Sequence, residues 1–258
     1  MLFPPPWASG WGQDALGLWL TLSQSGIRQL FRWIRPCTFL MGAADEETAG
    51  LVLPGKETQH EVRLSKGFWL AETVVTQEFW QAVMRSNPSS FSGPQQPAEQ
   101  VSWAEAQSFL QRLNTLRPQL YARLPTEAEW ECACRAGSKT AFAFGEQIGP
   151  EQVNFNTFGD GREELYRRRP VPVRSLPANA WGLYEMHGNV WEWCCDVWQD
   201  DLGCAAVADP QVPEPDQGGL RVVRGGSWVC DAADVRSASR DRYPADYRGA
   251  SIGFRIAV

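Results

Sequence analysis

A chain of 258 residues with 43% hydrophobic and 12% aromatic content can bury a large core, which excludes disorder. Its 23 Gly and 18 Pro exclude an all-helical bundle. A net charge of −6, from 24 bases against 30 acids, argues against a nucleic-acid partner.

In chain order, Leu16, Leu18, Leu20 and Leu22 alternate with small or polar neighbours. Ser23 to Gly26 reads as a turn, and Ile27 to Ile34 as a second strand, so residues 16–34 are expected to form a hairpin. Residues 43–58 are polar with Gly50, Pro54 and Gly55, hence a loop, and Val62 to Leu70 reads as one further strand. Thr76 caps a helix over Gln77 to Met84. Ser102 and Glu105 form a capping box that opens an amphipathic helix through Phe109, Leu110 and Leu113, stopping before Pro118. Thr126 and Glu129 form a second box, with Gly137 placed to end that helix. Beyond residue 138, Gly, Pro, Asn and aromatics alternate, which predicts short strands joined by long irregular loops. Trp181, Trp191, Trp193, Trp198 and Trp228 would pack those loops, their indole N–H groups satisfying loop carbonyls. No internal repeat is visible, and a single domain over residues 1–258 is expected.

Little catalytic chemistry is on offer. Cys37, Cys132, Cys134, Cys194, Cys195, Cys204 and Cys230 make an odd number without a CxxC pair, so reduced, mostly buried thiols are expected. Cys132 and Cys134 project to different sides of their helix and cannot share a metal. Of the two His, His60 sits among charges and reads as solvated, and His187 reads as a loop hydrogen-bonding residue. The stretch Arg224 to Ser227 lacks the Lys and following helix of a phosphate loop. The first residues lack a basic segment before an apolar run, and no apolar stretch approaches the roughly 20 residues of a membrane span. A cytoplasmic location is expected. Glu185 to Glu192 carries carboxylates and backbone carbonyls on an irregular turn, the hard oxygen ligands that calcium prefers.

Seven segments together resemble the formylglycine-generating-enzyme (sulfatase-modifying-factor) family. They are Phe39 to Gly42, Thr73 to Thr76, Val101 to Trp103, Arg123 to Trp130, Gly182 to Trp193, Arg224 to Trp228 and Gly253 to Arg255. The resemblance implies an α+β, C-type-lectin-like fold with two main helices, antiparallel sheets and much irregular loop. On it, residues 1–38 would be a β-hairpin extension and 39–258 the family domain. It implies a calcium turn at Glu185, Gly188, Val190 and Glu192, two of them through backbone oxygens, with no other cofactor required. The family's oxidases hold copper with two thiolates, at the positions of Cys230 and Val235 here. Val carries no ligand atom, so oxidase activity is not expected.

A narrower resemblance lies in the tail. Arg224 to Trp228, Ala232, Arg236 to Ala238, Arg240, Pro244, Arg248 and Ile252 to Arg255 form a skeleton interrupted by short variable stretches. This looks like the variable region, here 224–255, of proteins diversified by diversity-generating retroelements, in which adenine mutagenesis of Asn codons never yields Lys, Glu, Gln, Met or Trp. The sixteen intervening positions are Val229, Cys230, Asp231, Ala233, Asp234, Val235, Ser239, Asp241, Arg242, Tyr243, Ala245, Asp246, Tyr247, Gly249, Ala250 and Ser251. None is an excluded type, although those five types fill about a fifth of the chain.

The leading expectation is therefore a non-enzymatic protein whose skeleton residues Arg224, Trp228, Arg236, Arg240, Pro244, Arg248 and Phe254 are buried or paired. The sixteen side chains would face a macromolecular ligand, a protein by their paratope-like mix of Tyr, Arg, Asp and small residues. The alternative is a catalyst using Cys230 as a lone thiol, and a third reading is an interaction module acting through its constant surfaces.

Overall fold

The computed structural model describes residues 3–51, 57–159, 161–212 and 219–258. The N-terminal third builds a four-stranded antiparallel sheet, β1 (Gly10–Asp14), β2 (Gly17–Gln24), β3 (Ile27–Ile34) and β6 (Phe68–Ala71), in that order. Ser25 and Gly26, at φ 52° and 84°, make the two-residue turn between β2 and β3, the left-handed pair that matches strand twist. Leu20, Leu22 and Phe31 point inward from this hairpin and are fully buried, whereas Leu16 precedes the strand and is exposed. Because β3 also pairs with β6, the hairpin is an integral part of the sheet rather than an appended extension.

The expected strand from Val62 to Leu70 is two strands in different sheets. β5 (His60–Leu64) lies between β4 (Cys37–Met41) and the short β8 (Val207–Ala208), while β6 joins β3. The chain changes sheets at Gly67, where an added Cβ would stand 2.3 Å from the Trp33 ring and 2.8 Å from the Ile34 carbonyl oxygen. The same alternation along β5 turns His60 inward with Val62 and Leu64, so His60 is buried, its Nδ1 2.9 Å from the Thr58 carbonyl oxygen. Neighbouring charges at Glu61 and Arg63 occupy the opposite face, which corrects the solvated reading of that histidine. In the expected loop 43–58, a single helical turn, α1 (Asp45–Thr48), forms, and residues 52–56 lie outside the described set.

Three longer helices follow the cap signals. In α2 (Gln77–Met84) the Thr76 hydroxyl accepts from the Phe79 amide. Both capping boxes close, Ser102 with Glu105 at α3 (Trp103–Leu116) and Thr126 with Glu129 at α4 (Glu127–Arg135). Ala106, Phe109, Leu110 and Leu113 form the buried stripe of α3, and Trp80 of α2 stacks on Phe109 at 5.2 Å. Helix α4 ends with Ala136 and Gly137 both left-handed.

The C-terminal half carries a second four-stranded sheet in the order β10 (Arg240–Tyr243), β9 (Arg221–Arg224), β7 (Trp191–Val197) and β11 (Ile252–Gly253). Most of the remainder is loop, pinned from within as the tryptophans suggested. Trp193 donates to the Val101 carbonyl at 2.9 Å, Trp228 to that of Ala250 at 3.2 Å, and Trp103 to that of Cys194 at 2.9 Å. Trp198 instead reaches the Asp200 carboxylate at 2.7 Å.

Candidate functional site

The tail from Arg224 to Arg255 is held by arginines turned inward. The Arg224 side chain is fully buried. It donates to the carbonyls of Ser237 (3.0 Å), Ala238 (2.8 Å) and Ser239, and pairs with Glu131. Arg236 forks onto Glu57 at 2.7 and 2.9 Å and reaches Glu47 at 2.8 Å. Arg240 forks onto Glu127 at 2.7 and 2.9 Å and lies over the Trp198 ring at 4.3 Å. Arg255 forks onto Glu192, both distances 2.6 Å. Burial alone would raise the Glu131 carboxyl, but Arg135 and Arg224 hold it below its ordinary value. Two of the expected skeleton residues depart from the inward pattern. Pro244 is exposed, and Arg248 pairs with Glu105 at 2.9 Å on the surface.

Between these pins the backbone is tied to residues outside the tail or to the skeleton itself. The Cys230 carbonyl accepts from the Asn156 amide at 2.7 Å, that of Gly249 from Gln100 at 2.9 Å, and that of Ser251 from Trp191 at 2.8 Å. The Ala233 carbonyl accepts from Arg236 at 2.8 Å. At Val235 the partner is His187, whose Nδ1 donates to the carbonyl at 2.8 Å while Nε2 accepts from the Ala143 amide at 3.0 Å. His187 is thus the loop hydrogen-bonding residue expected, and burial pushes it down to about 4.

Fourteen of the sixteen intervening side chains are exposed or half-exposed. Val229, Asp231, Asp246 and Tyr247 are the most open. Tyr243 and Tyr247 stack at 4.3 Å, and Asp231, Asp234 and Asp241 gather beside them. Burial, then Asp231 and Asp241, raise the Asp234 carboxyl. Two positions do not belong to this surface. Val235 is fully buried in an apolar cluster with Phe142, Val153 and Phe155, and Ser239 is buried beneath β10 with its carbonyl on Arg224. Both fall in the inward phase of the tail, which spacing between skeleton residues alone does not register.

Sequence reasoning missed two features. The first is the set of inward acids, Glu47, Glu57, Glu127 and Glu131; Glu127 and Glu131 at i,i+4 on a buried helix face, together with 21 Arg against 3 Lys, were the available signal. The second is a wall on the far side of Trp228. There Phe91 meets Trp228 edge-on at 5.8 Å, Tyr166 lies 6.4 Å from it, and Arg168 and Arg169 cover Tyr166 and Phe91.

The four residues of the implied calcium turn do not fit a calcium ion. Both Glu192 oxygens serve Arg255, one of them also taking the Trp130 indole N–H at 2.8 Å. The Glu185 oxygens accept from the Arg174 and Leu176 amides at 3.2 and 3.4 Å, and burial raises its carboxyl to about 7, favouring the neutral acid. Gly188 donates its amide to the Gly225 carbonyl, and Val190 is buried in the core. Cys230 sits half-buried 3.3 Å from the Ser227 hydroxyl, and burial pushes its thiol up to about 11. Cys132 and Cys134 face different partners, Cys37 and His187. Among the described residues no helix is long and apolar enough to cross a membrane.

The model of the sulfatase-modifying factor enzyme 1-like domain matches residues 29–258, and the chain belongs to that family, with its C-type-lectin-like fold. The formylglycine-generating enzyme of Thermomonospora curvata is 33% identical over 223 residues, 80% of this chain and 69% of that protein. The chain spans 21% and 44% of the length of two further curated relatives. Among solved structures, Treponema denticola variable protein 1 superposes with a TM-score of 0.76 at 25% identity, covering 93% of this chain and 98% of the other. PvdO from Pseudomonas aeruginosa gives 0.75 at 26% identity, covering 97% and 98%. The narrower resemblance to a diversified variable protein is supported along with the family.

Proposed function

We propose that this chain is a non-enzymatic ligand-binding protein that displays a diversified C-terminal surface on a constant scaffold, its ligand another protein. The observation that carries this reading is how the tail is anchored. Side chains at the intervening positions face outward, while their carbonyls at Cys230, Ala233, Gly249 and Ser251 are held by Asn156, Arg236, Gln100 and Trp191. A backbone carbonyl accepts the same hydrogen bond whatever side chain follows it, so identity can change while the fold does not. The stacked Tyr243 and Tyr247 supply rigid aromatic area, and the aspartates and Arg242 supply adaptable polar contacts. Similarity to a protein described as a variable protein favours the same reading.

Oxidase chemistry is less well supported. Val235 offers no donor atom and packs among Phe142 and Phe155, and the Cys230 thiol is pushed away from the thiolate that copper requires. The 33% identity to a formylglycine-generating enzyme keeps the alternative testable.

The test is a displayed library randomised at Val229, Asp231, Asp234, Asp241, Arg242, Tyr243, Ala245, Asp246 and Tyr247 and panned against several unrelated proteins. Folded binders that differ between targets at these positions are expected. Members that fail to fold, or binding indifferent to these positions, overturn the proposal. Conversion of a cysteine-containing peptide to formylglycine by the purified chain would establish the oxidase instead.

A further inference from the structure

On the constant part of the molecule, the N-terminal segment, the β3–β6 face and the loop 119–126 enclose an open groove of about 1330 Å³. None of the sixteen intervening tail positions lines it. Its volume exceeds the roughly 300–1,000 Å³ of small-molecule pockets, which points to an extended chain segment. Its floor is aromatic. Trp33 and Trp69 face each other across the β3–β6 pair at 5.1 Å, both half-exposed, and Tyr121 stands 77% exposed on the opposite wall.

Three observations narrow the occupant. First, no strand can be added here: the outer backbone edge of β6 is already filled by the C-terminus, Trp69 N–H donating to the Val258 carbonyl at 3.0 Å and Val258 N–H to that of Trp69 at 2.9 Å. An occupant must bind through side chains and isolated donors, without a ladder. Second, the groove's charges are answered internally. Arg123 forks onto Glu129 at 2.6 and 2.7 Å, and Asp209 accepts from the Ser65 amide and hydroxyl at 2.7 and 2.5 Å beside Lys66. An uncharged segment is therefore preferred. Third, the chain shows the matching chemistry on itself. Pro5 and Pro6 form part of the groove wall, and Trp7 is buried beneath them. The polyproline II helix meets all three conditions: it has no internal hydrogen bonds, carries no charge, and presents flat pyrrolidine faces to aromatic rings. Gln107 and Gln119 at the groove supply amide donors for its solvated carbonyls.

We propose that this groove is a second, constant binding site that takes a proline-rich segment of a partner protein in the polyproline II conformation, independently of the diversified tail. Fluorescein-labelled decaproline is titrated with the full chain and followed by anisotropy. A Gly-Ser peptide of equal length and an amphipathic Leu/Lys helical peptide serve as comparators. Saturable decaproline binding that is insensitive to salt is expected, with no binding of either comparator. Trp69→Ala and the exposed Tyr121→Ala should each weaken it by about tenfold. Tyr121→Ala keeps the test open if Trp69→Ala fails to fold. A chain with Val229, Asp231, Asp246 and Tyr247 all changed to Ala should bind decaproline unchanged, even if the tail's own ligand is lost. Absence of decaproline binding, equal binding of the helical peptide, indifference to Tyr121→Ala, or loss in the tail variant would each overturn the proposal.

Discussion

Replacing Arg224 by Met tests whether the tail is pinned from inside. The substitution keeps most of the aliphatic stem but removes every donor reaching the Ser237, Ala238 and Ser239 carbonyls, together with the cation beside Glu131. Removing one partner of a buried ion pair costs about 3–5 kcal/mol, and an orphaned buried carbonyl about 1–3. Neighbouring losses do not add, and Glu131 retains Arg135 at 2.8 Å and the Gly42 amide at 2.8 Å, so about 5 kcal/mol is expected in all. At about 2–4 °C per kcal/mol for a chain near this length, Tm should fall by about 10–20 °C. Asp246→Ala and Val229→Ala, on the open side of the same segment, should each cost less than about 0.5 kcal/mol. Guanidinium unfolding followed by tryptophan fluorescence reads all three. If Arg224→Met costs below about 1 kcal/mol, or the two surface changes cost as much as it does, the tail is not held by its buried arginines.

Further outcomes follow from individual groups. Because both Glu192 oxygens are committed to Arg255, adding calcium or a chelator should leave Tm unchanged, and a calcium-dependent rise of several degrees would refute that assignment. Burial raises Glu185 to about 7, so the native state holds a proton that the unfolded chain releases near 4.5. Its contribution to stability is full below about pH 4.5 and is lost as pH rises to about 7. Glu185→Gln should therefore gain on the parent chain by up to about 3 kcal/mol between pH 4.5 and 7.5, and a pH-independent difference counts against it. The Cys230 thiol, pushed up to about 11, should be alkylated slowly by iodoacetamide at pH 7.5 and accelerate towards that value; a midpoint near 8 would show that burial does not govern it.

Local signals in the sequence carried some elements and not others. The caps at Thr76, Ser102 and Thr126 and the Ser25–Gly26 turn are decided within a few residues, and each forms as the pattern predicts. The division of Val62–Leu70 between two sheets was not legible, because a continuous apolar alternation does not say which strand it will pair with. His60 and Ser239 were misplaced for a related reason. Burial there is set by the phase of the strand or tail against a distant surface, while the immediate neighbours are polar. The tail frame was visible as spaced arginines, but its acceptors lie far off in sequence, at Glu47, Glu57, Glu127 and Glu131. The exposure of Pro244 and Arg248 shows that recurrence in a pattern marks a place in the frame without marking depth.

The anchoring of the tail by its carbonyls has a consequence for how such a segment can evolve. Asn156, Arg236, Gln100 and Trp191 engage positions 230, 233, 249 and 251 at set intervals along the chain. One inserted or deleted residue between 234 and 248 would shift the later donors onto the wrong peptide units, however conservative the residue. Point replacement is therefore an open route to novelty at this surface, and change of length a closed one.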